Sequence, residues 1–123
     1  MRLPNADRAV VKIGKLTEYS LNPWHDAGKH KARVFRAALG ITIDDAEWLR
    51  KQILETVREA EATPGGISVF GQKYVVDILF KKSERKAVVR TTWMIDHGTD
   101  FPRLTSCYIL RKRINGNGRN QRK

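Results

Sequence analysis

The sequence predicts an α+β domain in which N-terminal helices pack on one face of an antiparallel β-sheet of three or four strands. Three observations carry that expectation. At 123 residues, 41% apolar and 30% charged, the chain has the size and balance of one folded domain with a single core. Apolar residues recur at helical spacing through the first half of the chain. In the second half the pattern switches to alternation, the period of a strand.

Residues 15–21 read as one short helix, ended by Asn22-Pro23 because proline lacks an N–H and disfavours helical backbone in the residue before it. Residues 29–39 place Ala32, Phe35 and Leu39 on one stripe, keep Lys29, Arg33 and Arg36 largely off it, and stop at Gly40. Thr42 with Asp45 marks the next helix start, whose stripe is Ala46, Leu49, Ile53, Val57 and Ala60, ending before Pro64-Gly65-Gly66. Residues 74–80 and 87–95 are strands joined by the polar stretch 81–86, and 103–110 is another, after the turn-rich 96–100. Residues 67–70 add a short edge strand.

A hairpin tip at 82–85 opposes Leu79 to Val88, Asp77 to Arg90 and Val75 to Thr92. Tyr74, Val76, Ile78, Phe80, Val89, Trp93 and Ile95 then form the core face. Asp77, Arg90, Thr92, Arg103 and Thr105 form a polar strip on the other, and a one-residue slip would exchange the two. Residues 111–123 are expected to be a basic, disordered tail on a domain spanning 1–110.

Lys and Arg number 24 against 13 Asp and Glu, a net charge of +11. Residues 1–40 hold eight basic and three acidic side chains, 41–70 three and six, 71–110 seven and four, and 111–123 six and none. Basic ends around an acidic middle suit a protein that meets a polyanion, although a solvated tail on an unrelated domain has the same composition. No apolar run approaches the ~18 residues of a membrane span, and the first residues lack the apolar core of a signal peptide. The expectation is a cytoplasmic protein without membrane contact. Cys107 is alone, so no internal disulfide forms. Walker, dinucleotide-binding, nucleophile-elbow and H-E-x-x-H motifs are all missing, and His25, His30, His97 and Cys107 lack zinc-site spacing. The expectation is chemistry without metal or cofactor.

The densest group of reactive side chains is 22–31, with His25, His30, Lys29 and Lys31 in a loop entering a helix. Free N–H groups there attract anions, the two lysines reinforce them, and His25 is a candidate proton carrier. The plainer alternative is a capped helix with a solvated basic first turn. Asp77 opposite Arg90 reads as a cross-strand ion pair, or as a carboxylate orienting a guanidinium toward phosphate. Trp93 reads as core rather than stacking platform, and Cys107 as a small buried residue.

The runs Leu21-Asn22-Pro23-x-His25-x-x-Gly28-x-x-Lys31-Ala32-Arg33-Val34-Phe35, Gly71-Gln72-x-Tyr74-Val75-Val76-Asp77, Val89-Arg90-Thr91-x-Trp93 and Phe101-Pro102-Arg103-Leu104-x-Ser106-Cys107-Tyr108 resemble the signature of an uncharacterised bacterial family. Its members occur as small proteins beside a short antitoxin and as C-terminal modules of polymorphic toxins. The family is similar to the barnase–EndoU–colicin–RelE group of metal-independent ribonucleases. The resemblance implies a toxin that cleaves RNA, tRNA or mRNA, and is neutralised by a cognate antitoxin encoded next to it. It implies active-site positions at His25, Lys31 and Arg90, with Asp77 and Thr92 beside them. His25 would deprotonate the 2′-hydroxyl while Lys31 and Arg90 stabilise phosphate charge, all three converging on one cleft. Lys29, His30, Arg33, Arg103, Thr105, Arg111, Lys112 and Arg113 would bind RNA. Two alternatives remain open: a non-catalytic RNA- or ribosome-binding module, and a scaffold or immunity-type protein working through protein contacts alone.

Overall fold

A computed structural model describes residues 1–110. A 3₁₀ turn at Ala6–Arg8 is followed by one π-helical turn at Leu16–Ser20, helix α1 at Lys29–Leu39, a 3₁₀ turn at Ile43–Asp45 and helix α2 at Ala46–Thr56. Strands β1 Ala62–Ile67, β2 Gly71–Lys82, β3 Arg85–Asp96 and β4 Arg103–Ile109 form one antiparallel sheet in the order of the chain. The fold is α+β, with the helices N-terminal to the strands.

Helix α1 forms where the stripe predicts it. Ala32, Phe35 and Leu39 are buried, and Gly40 stops it at φ 69°, a left-handed backbone that suits glycine. Thr42 and Asp45 make a reciprocal capping box: Thr42 Oγ1 accepts from Asp44 N–H, and Asp45 accepts from Thr42 N–H at 2.8 Å. α2 ends at Thr56, four residues before Ala60, the last position of the expected stripe.

The register of β2 and β3 is the one the alternation predicts, with Leu79 opposite Val88, Asp77 opposite Arg90 and Val75 opposite Thr92. Ser83 and Glu84 alone form the tip, with Ser83 at φ 56°. Val76, Ile78, Phe80, Val89 and Trp93 face the helices and join Phe35, Leu39, Leu49 and Ile53 in one core. Thr91 lies on that face too. Its hydroxyl donates to Val76 C=O at 2.7 Å and accepts from Trp93 Nε1–H at 2.8 Å, so a buried indole is satisfied without water.

The first strand differs from expectation. β1 runs through Pro64-Gly65-Gly66, and Ser68–Phe70 form the turn rather than a strand. The register shifts between Pro64 and Gly66, with Gly66 at φ 110°. Proline and a bulged glycine are tolerated there because the strand is at the sheet edge. At the opposite side of the sheet, Val10 N–H donates to Pro102 C=O and Leu104 N–H donates to Val10 C=O, both at 2.9 Å, so the N-terminal segment covers the start of β4. A second bulge, in β4, sets Ser106 against Thr92 and Leu104 against Trp93, leaving Thr105 as the extra residue. Leu104 and Cys107 therefore both face the core, while Thr105 and Ser106 lie together at the surface.

Two measurements test this packing. Thr91→Val keeps the shape but leaves the indole N–H unpaired, so it should lower unfolding stability by about 1–3 kcal/mol in denaturant titration. An unchanged midpoint would show that this hydroxyl is not needed. Burial raises the Cys107 thiol from its ordinary 9.0 to about 11, with the Ser20 hydroxyl and Lys31 acting the other way. A raised native value means that its contribution to stability is whole below pH 9.0 and is lost as pH rises through about 11. The native thiol should resist a thiol reagent at pH 8 and react at once in denaturant. Cys107→Ala should flatten the alkaline loss.

Candidate functional site: a basic cleft beside strand four

The site begins with a backbone contact. A Cβ at Gly28 would lie 2.2 Å from the Tyr19 carbonyl oxygen, so only glycine lets the start of α1 lie against the π-helical turn. The connecting loop is tied at both ends. Asn22 Oδ1 accepts from Trp24 N–H at 2.9 Å, and His25 Nδ1 accepts from the N–H groups of both Ala27 and Gly28 at 3.0 Å. The imidazole thus caps the entry to α1.

A cleft of about 710 Å³ opens between this unit and β4. Lys12, Gly14, Lys15, Glu18 and Tyr19 line one side, His25 and Lys31 the second, and Thr105 and Ser106 the β4 side. Lys31 is its best-held cation. Its Nζ donates to Ser106 Oγ at 3.2 Å and sits 4.7 Å from the Tyr19 ring centre and 5.4 Å from that of Tyr108. Two aromatic faces and a hydroxyl therefore fix an ammonium that would otherwise sample many rotamers. The Tyr19 ring meets His25 edge-on at 4.8 Å. Glu18 is exposed, is the one carboxylate lining the cleft, and makes no ion pair among the described residues.

His25 and Lys31 therefore share a cleft, joined there by Thr105. Thr92 supports it from behind, its hydroxyl 2.8 Å from that of Thr105. Arg90 and Asp77 do not share it. They line a separate hollow of about 430 Å³ with Glu61, Thr63 and Val75, on the sheet face away from the core. Arg90 Nε and Nη2 each donate to Asp77 at 2.9 Å, so the guanidinium fork is spent on the carboxylate instead of facing a phosphate. That pair, with a further contribution from Tyr108, raises the guanidinium above its ordinary value. The link between the two places is Tyr108, beside Arg90 and under Lys31.

His25 departs from its expected role as well. Because Nδ1 already accepts two N–H groups, the neutral ring carries its hydrogen on Nε2 and offers the cleft a donor. It is not placed to take a proton from a hydroxyl. Arg103 is bound to Asp96 through two hydrogen bonds of 2.6 and 3.0 Å, which lowers the carboxyl below its usual range and leaves the fork engaged. Lys29 and Arg33 line a different groove, and His30 is exposed. Arg111, Lys112 and Arg113 lie outside the described residues.

Sequence reasoning missed Lys12, Lys15, Glu18, Tyr19, Ser106 and Tyr108. The one available signal was strand alternation, which puts Ser106 and Tyr108 on the face of Thr92 and Arg90. Lys15, Glu18 and Tyr19 sit on the segment read only as a short helix, and Lys12 just before it. Among the described residues no group of three or more His, Cys, Asp or Glu is arranged to hold a metal ion. No described helix is long and apolar enough to cross a membrane.

Comparison with known proteins returned one family, described as a domain of unknown function (DUF6883), whose model matches residues 2–111. No curated protein and no solved structure matched. With 110 of its 123 residues aligned, the chain belongs to the DUF6883 family.

Proposed function

We propose that this protein is an endoribonuclease whose active site is the cleft between the π-helical turn, the start of α1 and β4. One observation carries the reading: a single unpaired carboxylate, Glu18, shares the cleft with three lysines and the Nε2–H donor of His25. Those are the groups that cleavage by an internal 2′-hydroxyl requires. Glu18 takes the 2′-hydroxyl proton as that oxygen attacks the adjacent phosphorus. Lys12, Lys15, Lys31 and the His25 N–H stabilise charge on the non-bridging oxygens, the contribution that dominates such reactions. The P–O5′ bond breaks, and an ammonium of the cleft, of which Lys31 is the best held, protonates the departing oxygen. The products are a 2′,3′-cyclic phosphate and a 5′-hydroxyl. No metal ion enters this scheme.

The toxin role, with a neighbouring antitoxin as partner and the cytoplasm as its place of action, rests on the resemblance of the 21–35, 71–77, 89–93 and 101–108 motifs. The second reading is a non-catalytic RNA-binding module. It is favoured by the His25 ring, whose acceptor nitrogen is committed to helix capping.

Purified protein incubated with total RNA in EDTA should produce fragments ending in cyclic phosphate. Glu18→Gln should lower the rate by about 10²–10⁴-fold while leaving RNA affinity within a few-fold. Loss of cleavage in EDTA that a divalent ion restores would overturn the metal-independent scheme. Full activity in the Glu18 variant would remove that residue from it. Binding without cleavage would establish the second reading. In cells, expression of the chain alone should arrest growth and degrade RNA, and the Glu18→Gln chain should do neither.

Removing residues 111–123 should weaken RNA binding without moving the cleavage site. Each phosphate that the shortened chain no longer neutralises should reduce the salt slope by about 0.7, so three phosphates change it by about 2. An unchanged slope would show that these residues do not touch RNA.

A further inference from the structure

On the other side of the 22–28 loop lies a groove of about 480 Å³ that the scheme above does not use. Its floor is apolar and buried, formed by Leu21, Ala32 and Ile41. Along one rim run Lys29, Arg33 and Arg36, all exposed, at i, i+4 and i+7 of α1. None of the three makes an ion pair among the described residues. At its mouth stands Trp24, 81% exposed. An indole left in water on a loop that two side-chain hydrogen-bond acceptors hold fast is a ready planar surface.

We propose that Trp24 and the Lys29–Arg33–Arg36 stripe bind the single-stranded RNA that flanks the scissile phosphate, with one unpaired base stacked on the indole. This rests on the nuclease reading and adds the substrate class, an unpaired strand. Adjacent residues make the case. Trp24 faces this groove and His25 the catalytic cleft, while Lys29 lines the groove and Lys31 the cleft. One strand crossing the loop therefore places a phosphate against His25 and Lys31 and the next base on Trp24. The positive rim matches a phosphate backbone, and the aromatic face matches a base whatever its identity. Asp44 is the one acid lining the groove.

The test separates binding from chemistry by using a fluorescein-labelled 2′-O-methyl RNA 12-mer, which lacks the attacking hydroxyl, followed by anisotropy. The full chain should bind it more tightly than a duplex of the same sequence. Trp24→Ala should weaken binding by roughly 5- to 150-fold, the effect of removing one stack, and Trp24→Phe should restore most of it. Arg33→Ala with Arg36→Ala should lower the salt slope by about 1.4. Far-ultraviolet circular dichroism checks that each variant is folded. Binding by Trp24→Ala within twofold of the parent would overturn the proposal. So would equal affinity for single strand and duplex, or tighter, Trp24-dependent binding of a poly-glutamate peptide, which would mark a protein-docking groove. If the Trp24 effect holds while no natural RNA is cut, the nuclease scheme falls and the binding site stands. If RNA is cut but Trp24→Ala leaves both affinity and kcat/KM unchanged, the reverse follows.

Discussion

The close approach of Gly28 to the Tyr19 carbonyl is the constraint on which the functional end of the molecule depends. A single methyl group at residue 28 would sit 2.2 Å from that oxygen, so the first turn of α1 and the π-helical turn touch backbone to backbone. No side chain adjusts the fit. From that contact the positions of Tyr19, His25 and Lys31 follow together, because each leaves the backbone within a few residues of it. The His25 ring closes the arrangement by accepting the two N–H groups at the loop's end. The helix entry is thereby capped, and the loop carrying Trp24 is held out from the surface.

The sheet supplies the other wall by a separate device. Without its bulge, β4 would alternate strictly, and Thr105 and Ser106 would point to opposite faces. The extra residue lets both meet the cleft while Leu104 and Cys107 stay in the core. Ser20 fastens this wall to the π-helical turn, its hydroxyl donating to the Cys107 carbonyl at 3.1 Å in a buried position. Lys31 then spans the gap to Ser106. Apart from Lys31, the cleft is held by backbone contact and a buried hydrogen bond, and Lys12, Lys15 and Glu18 make no ion pair among the described residues.

How far the sequence revealed this depended on whether a periodic signal existed. α1 and the β2–β3 register were legible because long stretches alternate or recur without conflict, and register made the Asp77–Arg90 pair legible too. β1 was not, since Pro64-Gly65-Gly66 reads as a break, and only the edge location, invisible from one segment, makes it tolerable. Lys15 and Glu18 sit at the start of and within the short helical turn, with Lys12 just before it, where charge looks like ordinary solvation. His25 was found for its chemistry, yet its tautomer is dictated by two backbone donors, which no spacing announces. Arg90 stood out as a phosphate ligand for its planar fork, and that fork is what the facing carboxylate consumes.

In the proposed scheme, Glu18 is the group that would separate a catalyst from a binder. A surface selected for affinity alone gains nothing from a carboxylate among Lys12, Lys15 and Lys31, since it repels the phosphate those lysines attract. Nor is it explained as a structural ion pair, because it makes none among the described residues. The Asp77–Arg90 pair shows the contrast: there an acid and a base neutralise one another in an adjacent hollow and present no free donor fork. In the cleft the cations outnumber the single acid, so bound phosphate is still favoured while one oxygen remains free to accept a proton. Attraction for the anion and a nearby base are opposing demands on one small site. The proposed scheme meets both with three ammonium groups, one N–H donor and one carboxylate.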